Sequence, residues 1–405
     1  MPTGALLAHP GTQYSFHLAR ELSLHGNLSS FYTSVAVNGE SSLVRQFSPL
    51  VKIFGKQKEW QNRLFYDVPA GKVHSYPGLE VSAFLRTRRG EPALSVLRER
   101  NDRFQQKIPD GALADAQVVI GFDTSSHILA ARARVLGKKF ILDRSIGYAR
   151  GVNGLFDHLH ERFPEWPDTW VKKSVADLDI EDREHQLAHL VVVPSRFVAE
   201  TLRGCGVPSS KIRINPFGTD LQMFKLGPDS PIRGPLVFLF IGALTARKGL
   251  PLLLQAWSKL KPANAQLWIG GTGDVPVEVR RRSPASIRWL GPLTRQQLPS
   301  VLQQANVFVL PSYFEGLAQV QVEALACGTP VIGTKASGAE ELVEEGQTGF
   351  LIEQGNLEQL VESLQQFIAR PSLAQEMREQ VKARRSGLSW SGYGNRWNRI
   401  LHELI

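Results

Sequence analysis

The chain has 405 residues, enough for two or three domains at roughly 100–200 residues each. Hydrophobic residues make up 42% and charged residues 21%, and no stretch approaches the roughly 18–20 unbroken apolar residues of a membrane span. Cys205 and Cys327 are too few for a disulfide framework and wrongly spaced for a zinc site, and no basic region precedes the short N-terminal apolar run, so a cytoplasmic protein is expected. The net charge of +9 is uneven: residues 51–107 hold 12 basic and 6 acidic side chains, a segment that either meets something anionic or is a solvated surface. Zinc-finger spacing and RRM-type aromatic signatures are absent, which argues against nucleic acid.

In chain order, residues 4–8 read as a buried strand, about 14–25 as a helix, and LSSFYTSVAV as a second strand. Residues 44–109 are basic and without clear period and are expected to be irregular. QVVIGF and KKFILD follow as strands, residues 148–170 read as loops and short helices, and HLVVVP and KIRIN are two more strands. A linker falls near 224–234, where proline and glycine collect. Beyond it, residues 235–242 and 265–270, SIRWLG, NVFVLP, PVIGT and GFLI read as strands, with helices at 249–260 and around 296–304, 320–327, 339–343 and 357–368. Tyr393, Trp397, Ile400 and Leu401 share one face of a last helix. This alternation predicts an α/β protein of two Rossmann-like domains, residues 1–225 and 226–385, facing a cleft, with a closing segment at 386–405.

The segment from Pro311 to Thr334 carries the most chemistry. A strand ends at Leu310, a short loop holds Glu315 and Gly316, and a helix begins near Ala318, so free backbone N–H groups and a positive dipole end face the carboxyl edge of the sheet. A diphosphate would fit there. Glu315 and Glu323 bracket the first turns of that helix and would face one crevice at different depths, as acceptors for the vicinal hydroxyls of a ribose and a sugar. By spacing alone, two ordinary acids of a helix surface fit as well.

EGLAQVQVE, followed by ALACGTPVIGT and SGAEELVEEGQTGFLI, resembles the E-x7-E signature and trailing motifs of the group 1, or family 4, retaining glycosyltransferases with the GT-B fold. FIGALTARKGLPLLLQAW, WIGGTGDVP and HLVVVPSRFVAETLRGCGVPSSKIRINPFGTDLQMF resemble further motifs of that family, in family order, over nearly all of residues 188–355. The resemblance implies a cytoplasmic, metal-independent hexosyl transfer in glycan biosynthesis, from a nucleotide-diphosphate sugar held by the C-terminal domain to an acceptor on the N-terminal one. The last helix would pack back on the N-terminal domain. It further implies that Glu323 binds the ribose, that Glu315 lies beside the donor sugar, and that the loop from Gly316 through Leu317, Ala318, Gln319 and Val320 holds sugar hydroxyls and diphosphate through backbone amides. Lys248 matches the lysine that neutralises the leaving diphosphate, where a fixed cation stabilises the developing charge. Many relatives have arginine after the strand's glycine; this chain has Gly242 and Ala243, and Arg247 either supplies a second cation or points to solvent.

On the N-terminal side, Gly11 in AHPGTQYS would let backbone approach the diphosphate from the opposite wall. Asp143, where many relatives carry a histidine, would bind a sugar hydroxyl or the acceptor, or else pair with Arg144 or another cation for structure. His9 and His17 read as structural hydrogen-bonders. Asp177 and Asp179 imitate an acidic metal motif but sit in a polar helical stretch, so no metal is expected, and no cofactor besides the donor. A GT-B epimerase and a nucleotide-sugar-binding pseudoenzyme subunit are the alternatives. The resemblance implies a glycan, lipid-linked or small-molecule acceptor. Lys52, Lys56 and Lys58, interleaved with apolar residues, and Arg86, Arg88 and Arg89 suit peripheral contact with an anionic membrane at its inner face.

Overall fold

A computed structural model describes residues 4–12, 14–38, 63–65, 67–167, 172–227 and 234–404. Lys52, Lys56 and Lys58 lie outside them, as does most of the linker's centre.

The apolar runs of the N-terminal half form β1 (Ala5–Ala8), β2 (Leu28–Thr33), a short ribbon of β3 (Val37–Asn38) and β4 (Leu64–Phe65), then β5 (Val73–Ser75), β6 (Val118–Phe122), β7 (Lys139–Asp143), β8 (Leu190–Val193) and β9 (Ile212–Ile214). Leaving out the ribbon, these build a seven-stranded parallel sheet of order β5-β2-β1-β6-β7-β8-β9. The C-terminal half gives β10 (Leu236–Ile241), β11 (Ala265–Gly270), β12 (Ile287–Gly291), β13 (Val307–Leu310), β14 (Val331–Thr334) and β15 (Gly349–Ile352), a six-stranded parallel sheet of order β12-β11-β10-β13-β14-β15. Strands β1, β6, β8 and β13 are buried along their whole length, as strands covered by helices on both faces must be. In both sheets the strand order reverses beside the first strand, between β1 and β6 and between β10 and β13, which opens a crevice at the carboxyl ends.

Two helices cross between the domains. The helix Ala149–Arg162 follows the N-terminal strand β7, yet its Val152, Phe156 and Leu159, with Phe163 and Trp166 beyond it, join the hydrophobic core of the C-terminal domain. Conversely, the helix Trp390–His402 follows the C-terminal sheet and puts Trp390, Tyr393, Trp397, Ile400 and Leu401 into a core with Leu18 and Leu22 of the helix Ser15–Leu24.

The structure corrects three expectations. Of the stretch 44–109, residues 44–62 and 66 lie outside the described residues, but residues 77–107 form the helices Pro77–Arg88 and Ala93–Lys107, whose apolar side chains lie partly in solvent, which blurs the period. Residues 148–170 contain a helix of 14 residues, whose apolar stripe serves the other domain. The helix expected at 339–343 is a single 3-10 turn, Ala339–Glu341, following Gly338 at φ +76°.

Candidate active site

The loop after β10 turns sharply at Gly249, at φ +76°, where a Cβ would lie 2.0 Å from the carbonyl oxygen of Pro311. Only glycine permits so close an approach, and it brings the loops after β10 and β13 together. Lys248 consequently runs along Gly242, whose missing Cβ would be 3.7 Å from the lysine Cδ. The Arg247 carbonyl accepts from the Tyr313 amide at 2.8 Å, and its guanidinium donates to the Phe314 carbonyl at 2.6 Å and to Glu315 Oε1 at 2.5 Å. Lys248 Nζ lies 2.5 Å from the same carboxylate oxygen. Arg247 therefore points at Glu315 and not to solvent. Burial lowers the ammonium pKa of Lys248 against the pull of Glu315. Two cations on one carboxylate leave positive charge in excess at this edge of the sheet.

Gly316 is one of the places where the domains touch. Its carbonyl accepts from Ser195 Oγ at 2.6 Å, and a Cβ there would lie 1.7 Å from the Ser145 carbonyl oxygen. The helix Gln319–Ala326 starts immediately beyond. The Ala318 amide is donated to the Ser337 carbonyl at 3.0 Å, whereas the amides of Leu317, Gln319 and Val320 have no acceptor among the described residues and remain open. Glu323, on the same helix, is 3% exposed and pairs with Arg295 Nη1 at 2.9 Å. Burial raises its carboxyl, with Arg295 opposing. Arg295 in turn lies 5.2 Å over the Phe224 ring. The two acids thus hold separate cations.

Across the cleft, the Gly11 amide is donated to His9 Nδ1 at 3.0 Å, so this N–H is used within its own loop. His9 stays neutral because burial lowers it to about 4, and His17, stacked on Trp390 at 4.1 Å, is lowered to about 4 in the same way. Among the described residues, Asp143 pairs with neither Arg144 nor any other cation. Tyr14 donates to its Oδ1 at 2.9 Å and Tyr393 to its Oδ2 at 3.4 Å, and burial holds its carboxyl well above the usual range. No hydrogen bond or ion pair joins it to Lys248, Arg247 or Glu315. Arg144 instead donates to the buried Glu181 at 3.0 Å. Asp177 forms a capping box with Ser174 and a bond to Arg98, and Asp179 pairs with Arg150 at 3.1 Å.

Sequence reasoning missed Tyr14, Tyr393, Asp123, Glu184 and Arg295. Asp123 had a signal: it opens the polar run after β6, beside the strand-order reversal, and accepts from the Ser145 hydroxyl at 3.2 Å. Glu184 had none. It accepts from the amides of Thr124 at 2.9 Å and Ser126 at 2.8 Å, fixing Thr124 at φ +66°. Burial raises Glu184 to about 8, so between 4.5 and 8 the folded chain keeps a proton that the unfolded chain has released. Its contribution therefore falls as pH rises through that window. The buried histidines, lowered in the fold, act oppositely but only below their ordinary value of 6.5. Between pH 6.5 and 8 the Glu184→Gln variant should accordingly lose less stability than the wild type in urea unfolding. Parallel profiles would show that Glu184 does not titrate there.

The family described as Glycosyl transferases group 1 matches residues 226–384. A D-inositol 3-phosphate glycosyltransferase of Corynebacterium jeikeium is 25% identical over 240 residues, 53% of this chain and 57% of that one. A putative colanic acid biosynthesis glycosyltransferase, WcaL of Salmonella typhimurium, is 30% identical over 182 residues, 42% of this chain and 45% of that one. The chain spans about half the length of these curated relatives. Among solved structures, sucrose-phosphate synthase from Thermosynechococcus elongatus superposes with a TM-score of 0.65 at 18% identity, covering 99% of both chains. Anabaena HepE in complex with UDP and glucose gives 0.63 at 15% identity, covering 99% of this chain and 100% of that one. With two Rossmann-like domains closed on a shared cleft, the chain has the GT-B fold, and its second domain, residues 226–384, matches the group 1 glycosyl transferases.

Proposed function

We propose that this protein is a cytoplasmic enzyme that transfers a sugar from a nucleotide-diphosphate sugar to an acceptor hydroxyl with retention of anomeric configuration. One observation carries this reading: Lys248 and Arg247 converge on Glu315 at the carboxyl edge of β10 and β13, beside the open amides of Gln319 and Val320. Breaking a sugar–phosphate bond moves negative charge onto the diphosphate, and preorganised cations and amides stabilise that charge most in the transition state. Lys248 and Arg247 supply the neutralisation without a metal or a further cofactor. The departing diphosphate then takes the acceptor's proton on the same face. Glu315 receives a sugar hydroxyl, and Glu323 exchanges its contact with Arg295 for the ribose hydroxyls. Asp143, closed under two tyrosines, holds Tyr14 in the acceptor wall and does not itself reach the sugar.

HepE has been solved with UDP and with UDP-glucose, so UDP-sugars are the first donors to test. A ribose ligand grips ground state and transition state alike, so Glu323→Gln should chiefly raise the donor KM, whereas Glu315→Gln should chiefly lower kcat. Near wild-type kinetics for both would remove the site assignment. Turnover of donor without acceptor to a changed sugar nucleotide would favour an epimerase. Binding without any turnover would favour a pseudoenzyme, the reading that Ala243, in place of the family's arginine, supports.

A further inference from the structure

A cavity of about 460 Å³ opens in the N-terminal domain, between the start of the helix Ala149–Arg162, the helix Val175–Leu187 and the turn that leads from the helix Arg196–Arg203 to β9. That volume suits a small molecule. Its lining shares no residue with the cluster of Lys248, Arg247, Glu315 and Glu323.

The wall carries donors that the protein itself leaves unused. Tyr148 lines the cavity at 1% exposure, and its buried hydroxyl has no hydrogen-bond partner. Buried hydroxyls are nearly always bonded, so this one points to an absent acceptor. His185, 5% exposed, meets the Tyr148 ring edge-on at 4.8 Å. Its Nε2 faces Arg144 Nη1 at 3.3 Å, and because a guanidinium only donates, Nε2 accepts and the ring proton sits on Nδ1. Burial lowers this imidazole to about 2, so the ring is neutral, and Nδ1–H meets no acceptor among the described residues. Lys211 has no acidic partner among the described residues and makes one long hydrogen bond, at 3.4 Å, to the Gln186 carbonyl. The carboxylate of the lining, Asp182, is taken by Arg150 Nη2 at 2.6 Å. Open donors thus exceed open acceptors, and one of the donors is charged.

The cavity lies behind the loop that carries Glu315. Tyr148 ends the segment 145–148, whose other side is seated on that loop: a Cβ on Gly147 would lie 2.4 Å from Phe314 Cε2, and one on Gly316 would lie 1.7 Å from the Ser145 carbonyl oxygen.

We propose that this cavity binds a small molecule bearing an oxyanion, carboxylate or phosphate, which accepts from Tyr148 Oη, His185 Nδ1 and Lys211 Nζ, and that its binding steadies residues 145–148 against the Glu315 loop. The site stands whether or not the transfer reading holds.

Cys205 lines the same cavity and Cys327 is fully buried, so alkylation of the folded chain by iodoacetamide, read by mass spectrometry, reports on Cys205. Citrate, inorganic phosphate and sodium chloride are compared at equal ionic strength. Citrate or phosphate at four times its dissociation constant should slow labelling about fivefold, and chloride should not. Whichever protects names the oxyanion. Lys211→Glu should weaken the protecting anion by about tenfold or more, as loss of a charged hydrogen bond does. Tyr148→Phe should weaken it by about threefold to tenfold, yet leave the Tm of the free protein unchanged or higher, since the hydroxyl removed has no partner there. Protection by neither oxyanion, equal protection by chloride, or full protection in both variants overturns the proposal. A lower Tm for free Tyr148→Phe would make the hydroxyl structural and overturn its role. Protection should persist in Lys248→Ala/Arg247→Ala; its loss there would place the anion in the transfer site instead. Hydrogen exchange at residues 145–148 should slow with the protecting anion in that same double variant, and unchanged exchange overturns the steadying.

Discussion

Lys248→Ala should lower turnover by about 10²–10³, the usual cost of losing one preorganised group that meets charge in the transition state. The effect should fall on kcat more than on the donor KM, since the lysine is needed most when the sugar–phosphate bond has begun to break. Arg247→Ala should cost less. Its guanidinium is shared between Glu315 and the Phe314 carbonyl, whereas the Lys248 ammonium has Glu315 as its one partner among the described residues. Steady-state kinetics with a donor sugar and its acceptor separate the two residues. Losses under about threefold for both, with the fold intact, would place the diphosphate elsewhere.

Arg144→Met should destabilise the protein by about 3–5 kcal/mol, because it strands Glu181 in the interior. Both side chains are fully buried in one ion pair, and Arg144 also donates to the carbonyls of Ile146 at 3.0 Å and Gly147 at 3.2 Å. Lys173 also reaches Glu181, but from a partly exposed position, where a charge is worth less. Urea unfolding measures the loss, and the double variant Arg144→Met/Glu181→Met should recover part of it by removing the unpaired charge. A loss below about 1 kcal/mol would mean that Arg144 is held in place by packing alone.

The strands of the C-terminal half were legible because runs such as FLFI and VFVL are apolar on both faces, which only a covered parallel strand requires. Lys248, Glu315 and Glu323 were legible for a different reason, a resemblance in motif order. What stayed hidden depends on partners far away in the chain. Arg295 reaches Glu323 across 28 residues, and the two tyrosines on Asp143 come from positions 14 and 393. The helix Ala149–Arg162 was hidden by Gly151 and Gly154, which weaken its intrinsic preference, so that its stability comes from a surface outside its own domain. In the helices of residues 77–107 an apolar side left in solvent removes the contrast that periodicity arguments need.

Trp390, Tyr393 and Trp397 complete the core beneath the first sheet, yet they are synthesised only after the entire second sheet. During translation the N-terminal strands therefore wait, with Leu18 and Leu22 short of their aromatic cover, until some two hundred further residues have been added to the chain. The first domain therefore completes its core only once the last helix has been made, which couples the folding of the two halves.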